Sequence, residues 1–443
     1  MIALRYFSSF VKKKYLQMFE AFLHFIWKYQ LYSTSLVTEA GEPISVISPG
    51  IHNRDSGPDF TDARILIGNT LWAGNVEIHV KASDWNLHGH STDKAYSNVI
   101  LHVVYEDNIP IYDSNGRQLD ALVMKGKFSE KIYHKYYYFL NNSNWIPCEK
   151  DIHYVPPEKI RLWLESLLIS RMERKANELK ALLEPNLNDF EETFYQALAA
   201  NFGFKVNQQP FAMLARMLPL QILEKHVGSQ FQIEAMLFGV SGLLSNNFND
   251  NYPNRLKKEF EFLQKKYGLV SMQAHLWKFM RLRPPNFPTI RISQFAALIN
   301  KSSRLFSAII ETDDPKSLIS LFDVSAANYW NDHFTFDKPS PGQKKNLGTQ
   351  AIDNILINTV TQMLFLYSIS TGAEQYRDKA LALLSAIGPE SNSIIKKWNI
   401  LGIESTNAFD SQALIELKNR YCKLKRCLDC SIGLDLLKMN SKG

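Results

Sequence analysis

The sequence contains little cysteine, no long apolar run and only a small net charge. Four of its 443 residues are cysteine, and a chain of this length can bury a large core without disulfides. No segment approaches the roughly 20 uninterrupted apolar residues that cross a bilayer. The net charge of +6 does not by itself indicate a polyanionic partner. These features predict a soluble, cytoplasmic protein that does not associate with membranes.

Nucleotide-binding motifs are missing as well. There is no GxxxxGK[ST] phosphate loop and no GxGxxG, so no motif indicates an NTPase or a dinucleotide-dependent enzyme. Hydrophobic residues make up 45% of the chain and charged residues 21%, which excludes a mainly disordered or collagen-like protein. The chain is well above the usual domain length of about 150 residues, which predicts at least two domains.

The pattern of the sequence changes near residue 150. Short runs rich in β-branched residues alternate with turn residues over 36–125, which predicts strands, and dipeptides such as Gly74-Asn75 predict tight turns. After Pro156-Pro157 the apolar residues recur at helical spacing. We therefore predict an extension at 1–17, an α+β domain with a mixed sheet and flanking helices at 18–145, and an all-α domain at 155–443.

Reactive side chains are concentrated in the segment 57–104. Five of the eleven histidines lie in or next to it. Because side chains alternate along a strand, three polar residues of the run VEIHVK share one face: Glu77, His79 and Lys81. This face is either a functional surface or the ordinary solvated face of a sheet, and the run itself does not distinguish the two.

Asp59 favours the functional interpretation. It precedes Glu77 by 18 residues, at the start of the strand-like run ARILIG, so a hairpin would place the two carboxylates side by side. Hard divalent ions take oxygen ligands, and two carboxylates there would hold Mg²⁺ or Mn²⁺ beside a substrate phosphate. A neighbouring Lys or His can position or deprotonate an attacking water.

The order of these residues resembles the PD-(D/E)XK nuclease superfamily. That pattern is a helix carrying Glu, then Pro-Asp, a hairpin, and a strand with acidic-x-Lys; the matching positions here are Glu20, Pro58-Asp59 and Glu77-Ile78-His79. His79 stands where the superfamily usually has Lys, and Lys81 comes two residues later. The run WNLHGH at 85–90 is similar to the Trp-His-Gly-His motif of very-short-patch repair endonucleases, with two residues inserted after the Trp.

This resemblance implies a restriction-endonuclease-like fold and a metal-dependent nucleic-acid phosphodiesterase, in the first place a DNA endonuclease. Asp59 and Glu77 would hold the ion, His79 or Lys81 would position water and phosphate, and proton transfer would fall to His88 and His90. His102, in the apolar run VILHVV, is expected to be structural. Two alternatives stay open. One is a non-catalytic binding or assembly module, and the other is a zinc hydrolase built on His79, His88 and His90.

The cysteines form a second candidate site. Cys422, Cys427 and Cys430 have the spacing C-x4-C-x2-C, and Cys148 stands alone near the predicted domain boundary. Four thiolates would hold Zn²⁺ or a [4Fe–4S] cluster, and spacing alone does not choose between them. The arrangement is similar to the structural iron–sulfur staple of some RecB-type nucleases. Ordinary packed or exposed thiols are the alternative.

The helical region carries one basic segment around three prolines, in the run WKFMRLRPPNFPTIRIS. Its cations are candidate phosphate contacts, although a plain loop between two helices would explain the same prolines. The residues are Lys278, Arg281, Arg283 and Arg291.

Nearly the whole chain after Met18 resembles a bacterial family defined only as a domain of unknown function, DUF2851. The segments that carry the resemblance are GPDFTDARILI, GNVEIHVKASDW, NVILHVVYED, RPPNFPTIRISQFA and YCKLKRCLDCSIG. The family implies no activity, so the functional hypothesis depends on the residues above.

Overall fold

The computed structural model describes residues 18–302 and 304–439, so the predicted extension at 1–17 lies outside the described residues. The chain divides into two compact units. The sheet unit comprises Met1–Trp163 and Lys418–Gly443, and the helical unit comprises Leu164–Leu417. This division differs from the predicted ranges, because the C-terminal segment with three of the cysteines packs with the sheet unit rather than with the helices.

The sheet unit contains a mixed sheet of seven strands, which confirms the predicted α/β character. In sheet order β1, β2, β4, β5, β6 and β7 are neighbours, and β3 pairs with β4. Pairing is antiparallel from β1 to β5 and parallel from β5 through β7. The strands are β1 (Leu36–Val37), β2 (Pro43–Ser48), β3 (Ile51–His52), β4 (Phe60–Ile67), β5 (Thr70–Lys81), β6 (Val99–Glu106) and β7 (Ala121–Val123).

The second half of β5 is buried on both faces. It lies between β4 and β6, and Val76 and Ile78 on one face are fully buried. On the other face Glu77 and His79 are only 4% and 1% exposed. The polar face of VEIHVK is therefore not a solvated sheet face, and its carboxylate and imidazole must be satisfied inside the protein.

Gly74 corrects one local prediction. The Gly74-Asn75 pair lies inside β5 and not in a turn. A glycine is needed there because β5 passes close to the start of β6. A Cβ at position 74 would lie 2.4 Å from Ile100 Cγ2 and 2.7 Å from the Asn98 carbonyl oxygen.

Helices cover the sheet of this unit. The first, α1 (Glu20–Lys28), buries an aromatic face, and its Phe22 ring lies 4.9 Å from the ring of Tyr133 on α3 (Glu130–Asn141). A short helix, α2 (Asp84–Leu87), follows β5 and begins the crossover to β6. The fixed hand and short length of this crossover bring the residues after β5 back over its end.

The second unit is mainly helical, but it is not purely α as predicted. A two-stranded hairpin forms within residues 333–339, and Trp330 just before it is fully buried. Its strands are β8 (His333–Thr335) and β9 (Lys338–Pro339).

The helices from Pro157 onward follow the predicted start at the proline pair. They are α4 (Pro157–Leu183), α5 (Phe190–Phe202), α6 (Phe204–Met217), α7 (Leu220–Glu224), α8 (Gln230–Val240), α9 (Asn251–Tyr267), α10 (Pro288–Lys301), α11 (Leu305–Glu311), α12 (Pro315–Ser320), α13 (Thr349–Ile355), α14 (Thr361–Thr371), α15 (Gln375–Ala386), α16 (Ser393–Ile400) and α17 (Ala408–Glu416).

The chain ends, within the described residues, in α18 (Ser431–Met439), which belongs to the sheet unit. Over 18–302 and 304–439 none of the helices combines the length and the apolar character that a membrane span requires.

The helical unit buries one carboxyl group without a cation. Glu234 on α8 is fully buried and accepts hydrogen bonds from the hydroxyls of Tyr252 and Ser293. Burial raises its pKa to about 7. The protonated form is therefore favoured in the folded protein at a pH where the unfolded chain is already ionised.

Replacement of Gly74 by alanine should destabilise the sheet unit. The added methyl group has no room beside Ile100, so we expect the free energy of unfolding to fall by about 1–3 kcal/mol in denaturant titration. Gly388→Ala is the matched control, since a Cβ there meets nothing within 4 Å. Equal effects of the two substitutions would contradict the close approach of β5 and β6.

Glu234 should make the stability of the protein pH-dependent. The folded pKa lies above the ordinary value of 4.5, so stability is highest below about pH 4.5 and is lost as the pH rises towards 7. Relative to Glu234→Gln, the wild type should lose up to about 3 kcal/mol over that range in denaturant titrations. The exposed Glu261→Gln serves as the control and should follow the wild type. Parallel curves for wild type and Glu234→Gln would rule out the buried carboxyl as the cause.

Candidate metal centre

The site begins with two neighbouring residues on one face of β5. The Glu77 carboxylate and the His79 ring meet there, with 3.6 Å between Glu77 Oε1 and His79 Nε2. The same Glu77 oxygen lies 3.2 Å from His90 Nε2. One buried carboxylate oxygen thus faces two imidazoles, one from β5 and one from the crossover.

The crossover brings His88 and His90 to the end of β5. Gly89 between them adopts a φ of +80°, a left-handed conformation that glycine takes without strain and that reverses the chain at this point. The fully buried Trp85 ring packs edge-to-face against His90, and its indole N–H donates to the Tyr112 carbonyl oxygen at 3.1 Å. The Tyr96 ring stacks on His90 at a centroid distance of 3.8 Å.

Three imidazoles converge closely enough to share a metal ion. One ring nitrogen from each of His79, His88 and His90 lies within 4.8 Å of the other two. His79 Nε2 and His88 Nδ1 are 3.1 Å apart. Ligand atoms on a tetrahedral metal with bonds of about 2.1 Å lie about 3.4 Å apart. The nitrogen–nitrogen distance and the two Glu77 distances are all close to that spacing.

Asp59 lies beside this cluster and is bound to the same strand. Its carboxylate accepts the Ile78 N–H at 2.9 Å, and its own backbone N–H donates to Glu77 Oε2 at 3.0 Å. His24 Nε2 on α1 lies 3.2 Å from Asp59 Oδ2. Asp59 and Glu77 are therefore neighbours, as the hairpin predicted. The closest set of ligand atoms nevertheless involves the histidines, and the Mg²⁺ or Mn²⁺ site between the two carboxylates stays a prediction.

The charges of the cluster favour a cation. Burial and the negative charge of Asp59 raise the pKa of Glu77 to about 8. Burial and the neighbouring His88 and His90 lower the pKa of His79 to about 4, and burial lowers the pKa of His90. These two imidazoles are therefore neutral at pH 7 and offer lone pairs, and a bound cation would offset the cost of ionising Glu77.

His24 differs from His79 and His90 in that its pKa is raised. Burial lowers its pKa, but the interaction with Asp59 outweighs burial, so that the net pKa is raised. The same interaction lowers the pKa of Asp59 despite burial of that carboxyl group. Glu20, one helical turn before His24, has a raised pKa because of its burial.

His102 contacts the site, although its apolar strand predicted a structural role. It is fully buried on β6, opposite Glu77 in the strand pairing. One of the two rings donates to the other between His79 Nδ1 and His102 Nε2, at 2.8 Å. His102 Nδ1 is buried without a partner. Such an outer ring orients the imidazole that it touches.

Sequence reasoning also missed His24 and Tyr96. The spacing of Glu20 and His24 at i and i+4 was the available signal, because it places both on one face of α1. No spacing rule indicates Tyr96, which reaches His90 only through the fold of the crossover. Lys81, in contrast, was predicted to belong to the site. It is exposed at the end of β5, and over the described ranges no hydrogen bond or ion pair joins its ammonium group to the cluster.

A basic and aromatic groove of about 430 Å³ opens next to the cluster, within the sheet unit. His24 belongs to both, because it pairs with Asp59 and also lines the groove. We call this surface the basic groove. Besides His24, it is lined by cationic and aromatic side chains that include Lys28, Arg54, Lys425, Arg426, Tyr29, His52 and Tyr136.

The four cysteines all belong to the sheet unit. Cys148, Cys427 and Cys430 are buried and Cys422 is half-buried, and none forms a disulfide. Cys148 and the three C-terminal cysteines therefore place their thiols inside one unit.

The predicted phosphate contacts of the helical unit divide into two groups. Lys278, Arg281 and Arg283 are exposed and stay a prediction. Arg291 is only 6% exposed, its guanidinium donates to Gln294 Oε1 and Asn286 Oδ1, and its position inside α10 corrects the prediction of a phosphate contact. The prolines before it form a short turn and the first residue of α10, as the alternative interpretation required.

Removal of one imidazole should weaken metal binding without unfolding the protein. His88 is exposed, so His88→Ala should keep the fold and reduce Mn²⁺ affinity at least about tenfold in isothermal titration calorimetry. Mn²⁺ is the suitable probe because the soft cysteine thiolates bind it poorly. His134→Ala, at an exposed position on α3, is the control. Unchanged affinity in His88→Ala would exclude this histidine as a ligand.

The comparisons with known proteins identify a family. Residues 20–393 match the family described as "Protein of unknown function (DUF2851)". The match ends before Cys422, so the segment YCKLKRCLDCSIG, which contributed to the resemblance, lies outside it. Among curated proteins and among solved structures, none matches the chain. The sheet with its histidine cluster lies within the matched residues, and the chain belongs to the DUF2851 family.

Proposed function

We propose that this protein is a metal-dependent phosphodiesterase that hydrolyses nucleic acid, with DNA as the first candidate substrate. The observation that carries the proposal is the convergence of His79, His88 and His90 on the buried Glu77, beside Asp59, whose partner His24 lines the basic groove. Buried imidazoles and carboxylates with perturbed pKa values next to a groove are typical of active sites.

A divalent cation suits the cluster better than any internal partner. Glu77 and Asp59 are close together, and the described cationic group that touches them is His24. The ion would be held by His79, His88, His90 and Glu77. Imidazole nitrogens favour Mn²⁺ or a later transition metal over Mg²⁺, so we propose Mn²⁺ from the pair first predicted. When bound, it supplies charge neutralisation at phosphorus and acidifies water.

The remaining residues can move and hold protons. The interaction with Asp59 raises the pKa of His24, and this imidazole lines the groove, which suits it to give a proton to a leaving oxygen. Glu20 lies on the same face of α1, and its raised pKa suits it to accept a proton from water. His88 and His90, first predicted to transfer protons, are assigned here to the metal.

The basic groove supports a nucleic-acid substrate. Lys28, Arg54, Lys425 and Arg426 offer positive charge to phosphates, and the rings of Tyr29 and Tyr136 offer surfaces on which bases can stack. A single-phosphate substrate would not need cations along a groove of about 430 Å³. We therefore propose a polymer rather than a mononucleotide.

One observation favours the non-catalytic alternative. His79 replaces the usual lysine of the superfamily, and it is buried against His102 instead of facing the groove. A binding or assembly module with a structural metal would keep these features. The restriction-endonuclease-like fold likewise stays a proposal, supported by the mixed sheet in which a hairpin is followed by a parallel strand.

Glu77→Gln should abolish most hydrolysis while the protein remains folded. The amide keeps the size of the side chain but removes the negative charge that would bind the ion. We expect cleavage of plasmid and single-stranded DNA in Mn²⁺ to fall by about 100-fold or more, and His24→Ala to lower it through loss of the acid.

His134→Ala should cleave DNA like the wild type, and circular dichroism should report the same fold for all variants. A wild-type protein that binds Mn²⁺ but cleaves neither DNA nor RNA would replace this proposal with the non-catalytic module. Full activity in Glu77→Gln would remove Glu77 from the mechanism.

A further inference from the structure

Two distant segments bring four thiols into the sheet unit, and none of them belongs to the proposed Mn²⁺ site. Cys148 lies in a turn after α3, where its carbonyl oxygen accepts the N–H groups of Asp151 and Ile152 at 2.9 Å. Cys422, Cys427 and Cys430 lie in the chain that leads into α18. Burial raises the pKa of Cys148, and so do the neighbouring Cys430 and Cys427. The C-terminal segment packs against the stretch that carries Cys148, because the Lys418 ammonium group donates to the Trp145 carbonyl oxygen.

The surroundings of Cys430 are arranged for a thiolate. Cys430 directly precedes α18, and although burial raises the pKa of its thiol, the backbone N–H groups of Gly433 and Ile432 lower it. The Trp163 indole N–H is buried without a hydrogen-bond partner, and it also lowers the pKa of the Cys430 thiol. Helix N-termini and N–H donors stabilise negative charge on sulfur. These N–H groups would stabilise a neutral thiol much less than a thiolate.

Gly433 fits this turn for a steric reason. A Cβ at Gly433 would lie 2.1 Å from the Cys427 carbonyl oxygen, so the backbones of Cys427 and α18 approach closely.

Two cationic side chains lie near the thiols. Lys418 donates to the Trp145 carbonyl oxygen, and Lys425 donates to that of Leu140. Lys418 acts electrostatically on Cys422, and Lys425 on Cys427. Positive charge is therefore available for an anionic centre.

The spacing of the sulfurs separates the two candidate groups. A zinc ion with four Zn–S bonds of about 2.3 Å would draw its sulfurs to about 3.8 Å from one another. Within the part of the chain that the structure describes, the histidines form the set of three ligand atoms within 4.8 Å, and no three cysteine sulfurs do so. A [4Fe–4S] cluster binds each thiolate to a different iron, and its larger body needs sulfurs that lie farther apart.

We propose that Cys148, Cys422, Cys427 and Cys430 bind a [4Fe–4S] cluster that fixes one wall of the basic groove. Each thiol would lose its proton and bind one iron of the cluster. The groove residues Lys425, Arg426, Leu428 and Asp429 all lie between Cys422 and Cys430. Asp429 links this segment to the opposite wall, since its carboxylate lies 3.5 Å from Arg54 and 3.0 Å from Arg426.

The proposed effect of the cluster on substrate binding at the groove wall rests on the proposed function, whereas the binding of the cluster by the four cysteines does not. A cluster in this position would act on substrate binding and not on the Mn²⁺ site, because the histidines come from β5 and the crossover. Loss of the cluster should therefore weaken DNA binding while Mn²⁺ affinity is retained.

The test is reconstitution of the full chain with iron and sulfide under anaerobic conditions. We expect about four iron and four sulfide per chain and broad visible absorption that dithionite bleaches. Cys427→Ser and Cys430→Ser should lose both, whereas Glu77→Gln should keep both and lose Mn²⁺ binding. One equivalent of zinc with no visible absorption, or no bound metal, would overturn the cluster.

Oxidation of the reconstituted wild type gives a second measurement that does not depend on the folding of the cysteine variants. Release of the cluster should lower affinity for a fluorescent single-stranded oligonucleotide at least tenfold, with Mn²⁺ affinity unchanged by calorimetry. Unchanged oligonucleotide affinity after iron release would overturn the link to the groove wall. A bound cluster in a protein that cleaves no nucleic acid would contradict the proposed function and leave the cluster site intact.

Discussion

The sheet unit depends on the burial of a polar strand face at its centre. Glu77 and His79 lie where an apolar pair would be the least costly choice, between two neighbouring strands and almost without exposure. The surrounding residues offset the cost in part. Asp59 donates its N–H to Glu77, and His102 pairs with His79. Burial keeps the pKa of Glu77 at about 8, and a bound cation would supply the positive charge that lets this carboxyl group ionise inside the protein.

The strand–crossover–strand connection explains why so many imidazoles meet. The two rings His79 and His102 stand on parallel neighbours, and the crossover between them returns His88 and His90 to the same edge. The fully buried Trp85 ring packs against His90 and so restricts the position of this imidazole. A loop alone would not hold three nitrogens at metal-binding distances, whereas strands and a packed aromatic residue can.

Much of this could be predicted from residue order, and the failures have physical causes. Alternation in VEIHVK correctly placed Glu77 and His79 on one face, and the change of periodicity near residue 150 located the helical region. Gly74 looked like a turn residue because local sequence does not reveal that another strand passes above it. Arg291 looked exposed because its burial depends on Asn286, Gln294 and the ring of Phe204, which only tertiary packing assembles. The spacing of Glu20 and His24 indicates a shared face of α1 but not the contact of His24 with Asp59, and no spacing indicates that Tyr96 reaches His90.

The return of the C-terminal segment to the sheet unit has a consequence for biosynthesis. Residues 164–417 leave the ribosome after all seven strands of the sheet but before Cys422 and α18, so the helical unit can fold while the sheet unit still lacks its C-terminal segment. Until the C-terminal segment has been synthesised, the surface around Cys148 stays exposed. The helical unit is therefore completed before the sheet unit, although the sheet unit begins first. Premature termination of translation near residue 417 would leave the helical unit complete and the sheet unit without its C-terminal segment.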